Sequence, residues 1–223
     1  MKKNICIIPA RANSRRIKNK NIINFFGKPI ISYAISEAIK SKLFDRVIVS
    51  TDSKQIAQIA IRYGASVPSL RPKKLSSHKS TINDVLKYCV KKYQFKNYKF
   101  LYCLFPMTPL LTSKDLIKAN KKIAKYQAPH LISVKKNNDI KKKIFVNKNK
   151  KLILKDGKKT QFSKNIDYFS DNGNFFILDL KKYKKGFKSN YKNTIGYEMI
   201  KKEANDINNL SDLNYLKFLY KKK

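Results

Sequence analysis

Short, nearly continuous apolar runs alternate with longer amphipathic stretches from Asn4 to about Lys135, and this alternation restricts the fold more than any other feature. The runs Asn4–Ile8, Arg46–Ser50, Lys99–Phe105 and Leu131–Lys135 are rich in β-branched and aromatic residues and bounded by polar positions, as strands buried on both faces are. Between them the apolar residues recur at helical spacing. Pro29 is placed for the first turn of a helix reaching about Lys40. Asp52 or Ser53 can cap a helix over Lys54–Tyr63 that Gly64 ends in the left-handed conformation, and Ser66–Pro68 reads as a short third strand. Ser80 or Thr81 opens a helix to about Tyr93, and Ser113 opens one to about Tyr126. This rhythm predicts an α/β fold with a mostly parallel sheet and helices on both faces, and 223 residues suit one such core domain.

From about residue 137 to 170 the pattern changes to a segment dominated by Lys and Asn. Phe145–Asn147 and Leu152–Leu154 read as short strands and Asp156-Gly157 as a hairpin turn, which together make a small inserted flap or dimerisation hairpin. After it, Asn174–Leu180 is a strong strand, and Ser211 begins a final helix ending in a Lys tail.

In doubly wound sheets of this type ligands sit beyond the carboxyl ends of the strands. The loop after the first strand is therefore placed for binding, and it is chemically distinctive. The chain has only six arginines against 45 lysines, yet Arg11, Arg15 and Arg16 all fall within Ile8–Ile22, IPARANSRRIKNKNI. A planar guanidinium fork grips phosphate bidentately where an ammonium acts as a point charge. With the hydroxyl of Ser14, Lys20, Asn21 and exposed backbone amides, the loop offers a concavity suited to a polyphosphate.

A net charge of +37 ordinarily suggests nucleic acid or an anionic membrane surface as partner. Here the excess is lysine spread over most of the chain with many Asn and Ile, which matches AT-rich codon bias and argues against a specific nucleic-acid partner. Cys6, Cys89 and Cys103 are odd in number, share no metal-binding spacing and sit among apolar residues, as reduced thiols of a cytoplasmic protein do. No apolar run approaches the roughly 18 residues of a membrane span, so no membrane insertion is expected. His130 begins an apolar strand as a structural imidazole, and His78 follows Arg71 in a loop without a partner set for a triad.

IPARANSRRIKNKNI, together with GKPI, VSTDS, YGASVPSLRP and a late DIN, resembles the acylneuraminate (CMP-sialic acid and related nonulosonic acid) cytidylyltransferases over nearly the whole chain. The resemblance implies a three-layer, Rossmann-like nucleotidyltransferase fold of the GT-A type, a homodimer, CTP and a nine-carbon 2-keto sugar acid as substrates, and Mg²⁺ as cofactor. It implies that Arg11, Arg15 and Lys20 act on the phosphates with Ser14 and Asn21, that Arg71, Ser80 and Thr81 contact the nucleotide, and that Asp206 and Asn208 hold the metal.

Four departures stand out. Asn13 replaces a usual glycine, a substitution Asn tolerates by entering positive φ. Arg15 replaces a usual Lys, and Asn208 replaces the second Asp of a DID pair. Leu104–Leu111 (LFPMTPLL) stands where N-acetylneuraminate enzymes commonly read LQPTSPLR. Phe105 and Leu111, with Asp171, Asn172 and Asn174 in a stretch similar to the DAGQFY of pseudaminic acid enzymes, lean the resemblance toward that sugar. The alternatives are a CMP-Kdo-type or other sugar nucleotidyltransferase, and a basic nucleic-acid or membrane-surface binding protein.

Overall fold

The computed structural model describes residues 4–14, 17–136, 144–148, 151–155, 167–182, 193–199, 207 and 209–222. Strand β1 (Asn4–Pro9) lies inside the sheet, where successive side chains enter opposite cores. Cys6 and Ile8 join one cluster, while Ile5 and Ile7 join a second on the other face. All four side chains are inaccessible to solvent, so the run can be apolar at every position; each fully buried isoleucine contributes about 1.5–3 kcal/mol.

After β1 come the two-residue strands β2 (Asn24–Phe25) and β3 (Lys28–Pro29), which form a small hairpin around Phe26 and Gly27, both at positive φ. Pro29 therefore belongs to this hairpin rather than to the first turn of helix α1 (Ile31–Lys40). Strand β4 (Phe44–Ser50) leads to α2 (Lys54–Arg62), capped by Ser53, whose hydroxyl accepts from the Ile56 amide. The expected strand at Ser66–Pro68 reduces to a single bridge between Ile48 and Ser66. Helix α3 (Ile82–Lys92) is capped by Thr81, strand β5 (Phe100–Leu104) follows, and α4 (Ser113–Tyr126) is capped by Thr112 rather than Ser113. In both helices an Asp three residues on closes a capping box.

Strand β6 (His130–Lys136) precedes a hairpin of β7 (Ile144–Lys148) and β8 (Lys151–Lys155). Register pairs Lys148 with Lys151; Asp156 and Gly157, expected at the turn, lie outside the described residues. Strand β9 (Tyr168–Asp179) starts six residues before the expected Asn174, so the end of the presumed insertion belongs to the main sheet. Strand β10 (Thr194–Glu198) was not legible in the sequence, and α5 (Leu210–Lys221) begins one residue before Ser211, capped by Asn209.

The main sheet runs β10-β6-β9-β5-β1-β4, with β7 pairing to β9. Pairs β10–β6, β5–β1 and β1–β4 are parallel, and β9 is antiparallel to both neighbours. Helices α1, α2 and α4 cover one face, and α3 covers the other. Helix α5 packs with Ile17, Phe25, Met107 and Ile207 in a third cluster beside the carboxyl ends of β1 and β5.

One irregularity shapes the site. Ile132 of β6 faces Phe176 of β9 while Val134 faces Asp171, so Ser133 alone spans a bulge of four residues. Its hydroxyl donates toward Asn172 Oδ1 (2.6 Å) and the Phe175 carbonyl (2.8 Å) and accepts from the Phe175 amide (3.0 Å). Gly173, at the bulge, takes φ +67°, a conformation that suits glycine.

Candidate active site

A cavity of about 440 Å³ opens beyond the carboxyl ends of β1 and β5. The loop after β1 forms its first wall with Arg11, Ser14, Lys20 and Asn21. This loop is held by its own polar groups. The Ala10 amide donates to the Ser50 carbonyl (2.9 Å), and Asn21 Nδ2 donates to the Arg11 carbonyl (2.9 Å), folding the segment back on itself. Positive φ falls at Asn19 (53°), where a short 3₁₀ turn over Lys20–Ile22 begins, and not at Asn13, so asparagine stands for glycine at a position that does not require positive φ.

Arg71 and the segment from Leu75 to Thr81 form the second wall. Arg71 is 5% exposed, with its amide bonded to the Thr51 carbonyl (2.7 Å), its Nε donating to Ser76 Oγ (3.0 Å) and its Nη2 3.9 Å from Asp52 Oδ1. Burial draws its pKa below the ordinary arginine value; the charge of Asp52 opposes that shift and the nearby Arg11 adds to it. Arg11 Nη1 reaches the Ser77 carbonyl at 3.5 Å, closing the two walls toward each other. Ser80 and Thr81 line the space with their hydroxyls already engaged: Ser80 donates to the Lys74 carbonyl, and Thr81 caps α3 while donating to Asp84.

Phe105, Pro106 and Met107, just past β5, make the third, apolar wall, together with Gly173 from the β9 bulge. The Phe105 amide donates to the Asn174 carbonyl (2.9 Å), which ties the bulge to the end of β5.

Among the described residues, the lining thus gathers Arg11, Lys20 and Arg71 with no carboxylate. Such a space is built to neutralise several negative charges at once. Eight of the residues singled out in the sequence meet here: Arg11, Ser14, Lys20, Asn21, Arg71, Ser80, Thr81 and Phe105. Arg15, Asp206 and Asn208 lie outside the described residues. Asp171, Asn172 and Asn174, expected to bind substrate, are not among the lining residues, to which the bulge contributes Gly173. Asn172 and Asn174 are each 1% exposed, Asn172 Oδ1 accepting from the Asn174 amide, while Asp171 Oδ1 accepts from the Gly173 amide and shapes the turn. Leu111 packs in the core with α1 and α4, so its departure from the acylneuraminate pattern is a matter of packing.

The sequence reading missed Ser77, Leu75, Met107 and Gly173 and set His78 aside, although each faces the cavity. The sequence left the cap of α2 open between Asp52 and Ser53. Ser53 supplies the cap, and Asp52 Oδ1 instead accepts from the Ala12 amide (2.9 Å) and pairs with Arg71.

The family model described as cytidylyltransferase matches residues 5–223. This chain belongs to that family. It is 32% identical to the pseudaminic acid cytidylyltransferase of Campylobacter jejuni, over 98% of this chain and 97% of the relative. It is also 33% identical to the N-acylneuraminate cytidylyltransferase of Escherichia coli O18:K1:H7, over 80% of this chain and 38% of that protein. Among solved structures, the CMP:2-keto-3-deoxy-manno-octonic acid synthetase complexed with CTP superposes with a TM-score of 0.79 at 16% identity, covering 99% of both chains. That likeness establishes the fold. The chain is therefore a nucleotidyltransferase with a full-length family match.

Whether this member fits the divalent cation its family resemblance implied turns on the segment around Ile207. Ile207 is fully buried in the cluster with Ile17 and Met107, and its carbonyl accepts a hydrogen bond from Lys20 Nζ. Asp206 and Asn208 thus flank a residue bonded to a cavity lysine, and carboxylate and amide oxygens suit a hard cation. Among the described residues no group of three or more His, Cys, Asp or Glu could hold a metal.

Proposed function

We propose that this chain transfers the cytidylyl group of CTP to a nonulosonic acid of the pseudaminic type, giving a CMP-sugar and pyrophosphate. The observation that carries the reading is the convergence of Arg11, Lys20 and Arg71 on one cavity beyond the carboxyl ends of β1 and β5, with no carboxylate among the described lining residues. The full-length likeness to a pseudaminic acid cytidylyltransferase supports the sugar class.

In this reaction the sugar hydroxyl oxygen forms a bond to the α-phosphorus, the bond from that phosphorus to its bridging oxygen breaks, the electron pair leaves with pyrophosphate, and the hydroxyl proton passes to water or to the departing pyrophosphate. Arg11 and Lys20 hold the departing phosphates, and the loop amides add dipoles that need no reorganisation as charge develops. Arg71, buried and fixed through Ser76, orients the nucleotide. The wall of Phe105 and Met107 excludes water on the sugar side. Asp206 and Asn208 would hold Mg²⁺, which supplies charge neutralisation at the phosphates. The buried free thiols of Cys6, Cys89 and Cys103 suit a cytosolic enzyme, and no helix among the described residues is long and apolar enough to cross a membrane. The β7–β8 hairpin standing off the edge of β9 suits a homodimer contact.

The deciding experiment measures pyrophosphate release with CTP, Mg²⁺ and separate pseudaminate, N-acetylneuraminate, legionaminate and Kdo, with the mass of the same preparation taken by sedimentation. Turnover greatest with pseudaminate and a dimer mass are expected. Silence with all four acids would sink the activity, preference for Kdo would move it to the other sugar class, and a monomer mass would remove the dimer.

A further inference from the structure

Among the described residues, Asp52 is the one carboxylate joined to both charged walls of the cavity, and neither the cap of α2 nor the chemistry above uses it. Its Oδ1 accepts from the Ala12 amide at 2.9 Å, in the loop that carries Arg11 and Ser14. The same oxygen stands 3.9 Å from Arg71 Nη2 in the opposite wall. The Asp52 side chain is 16% exposed and that of Arg71 is 3% exposed, so the pair lies largely out of water. Arg71 is held on its other edge by Ser76 Oγ and on its backbone by the Thr51 carbonyl.

From this geometry we infer that Asp52 is a positioning residue for anion binding: it fixes the first loop through the Ala12 amide and orients Arg71 as its counter-ion, so that both walls face one polyphosphate. The inference rests on the proposed function for the identity of that polyphosphate and not for its existence. Two physical considerations support it. A guanidinium taken out of water is costly unless a counter-charge accompanies it, and Asp52 is the only acid ion-paired with Arg71 among the described residues. A carboxylate beside a phosphate site would repel the ligand unless its charge were already compensated, and here Arg71 and an amide donor compensate it. The two contacts are separable. Asp52→Asn keeps an oxygen for the Ala12 amide and removes the charge opposite Arg71, whereas Asp52→Ala removes both.

The test measures calorimetric binding of CTP and of inorganic tripolyphosphate to the full chain and its variants, with kcat and KM from pyrophosphate release. Asp52→Asn should weaken both ligands about tenfold and Asp52→Ala about a hundredfold, mostly in KM for CTP. The distinguishing arm is the double variant. With Arg71→Ala already present, Asp52 becomes an uncompensated negative charge, so adding Asp52→Asn should strengthen tripolyphosphate binding severalfold, reversing the sign seen in the parent. A residue that merely supports the fold would not reverse sign. Should Asp52→Ala fail to fold, Asp52→Asn and the double variant carry the same decision.

Parent-like tripolyphosphate binding by Asp52→Asn, or the same loss with and without Arg71, would overturn the assignment. If the parent binds tripolyphosphate but not CTP, the proposed function loses its nucleotide while the signs above still decide Asp52. Binding of neither ligand overturns both.

Discussion

Arginine is scarce in this chain, and where it occurs decides what the cavity can hold. Arg46 and Arg62 are exposed, whereas Arg11 and Arg71 face the cavity from opposite walls. Arg11→Ala removes a preorganised cation whose Nη1 is already directed toward the Ser77 carbonyl, so its kcat/KM should fall roughly 10²- to 10³-fold, by analogy with loss of an oxyanion donor. Arg11→Lys should recover only part of this, because an ammonium keeps the charge and loses the fork. Steady-state kinetics with CTP checks both, and unchanged turnover in the alanine variant would remove Arg11 from the mechanism. That Arg11 and Lys20 line the site was legible because scarce forks clustered after a strand of a parallel sheet. The role of Asp52 was not, since Asp and Ser are both good N-caps and the local sequence allows either. The Ile56 amide assigns the cap to Ser53, and only the contacts with Ala12 and Arg71, which lie 40 residues back along the chain and 19 residues on, tie the carboxylate to both walls of the cavity.

Elements with runs such as ICII and LYCLF were legible because burial on both faces demands apolar residues at every position. The first half of β9, Tyr168–Asn172, was not, because its YFSDN sequence lacks that run and its register depends on one hydroxyl. Strands β2 and β3 are too short to show any period, and their hairpin displaced Pro29 from the helix where its fixed φ seemed to place it. The bulge is also where an element sets the site. Ser133 accepts from the Phe175 amide and shares its one hydroxyl proton between the Phe175 carbonyl and Asn172 Oδ1, all within a buried segment, while Asn172 Nδ2 has no hydrogen-bond partner among the described residues. Ser133→Ala therefore leaves buried polar atoms unpaired and should destabilise the chain by about 2 kcal/mol, within the usual 1–3 kcal/mol for such a loss. Because the bulge delivers Gly173 to the cavity and bonds the Phe105 amide through Asn174, KM for the sugar acid should rise more than KM for CTP. Urea denaturation and the two KM values test this together, and an unchanged midpoint would show that the hydroxyl does not hold the bulge.

At the scale of the whole molecule, acid affects this chain in two separable ways. Protonating its 14 acidic residues raises a net charge that is already +37, and self-repulsion then disfavours the compact state however the interior is built. The second effect is local in origin and global in readout. His130 starts β6 at 5% exposure, with Nδ1 3.2 Å from Thr194 Oγ1 of β10 and its ring edge-on to Phe176. Burial depresses its pKa from 6.5 to about 4. The folded state thus keeps this imidazole neutral at pH values where the unfolded chain binds a proton. The stability that depends on it is complete above pH 6.5, falls as pH drops through the window, and is fully lost below about 4. The total is on the order of 3 kcal/mol, of which about 2 kcal/mol is lost by pH 5. A His130→Gln variant retains a polar side chain and does not titrate. It should start less stable at pH 7.5 because the packing against Phe176 is altered, but it should lose about 2 kcal/mol less than the parent between pH 7.5 and 5. Comparing the two chains cancels the repulsion that both share. Parallel pH profiles from urea denaturation would mean that acid acts on this fold through its overall charge alone, and converging profiles would locate the sensitivity at the β6–β10 pair.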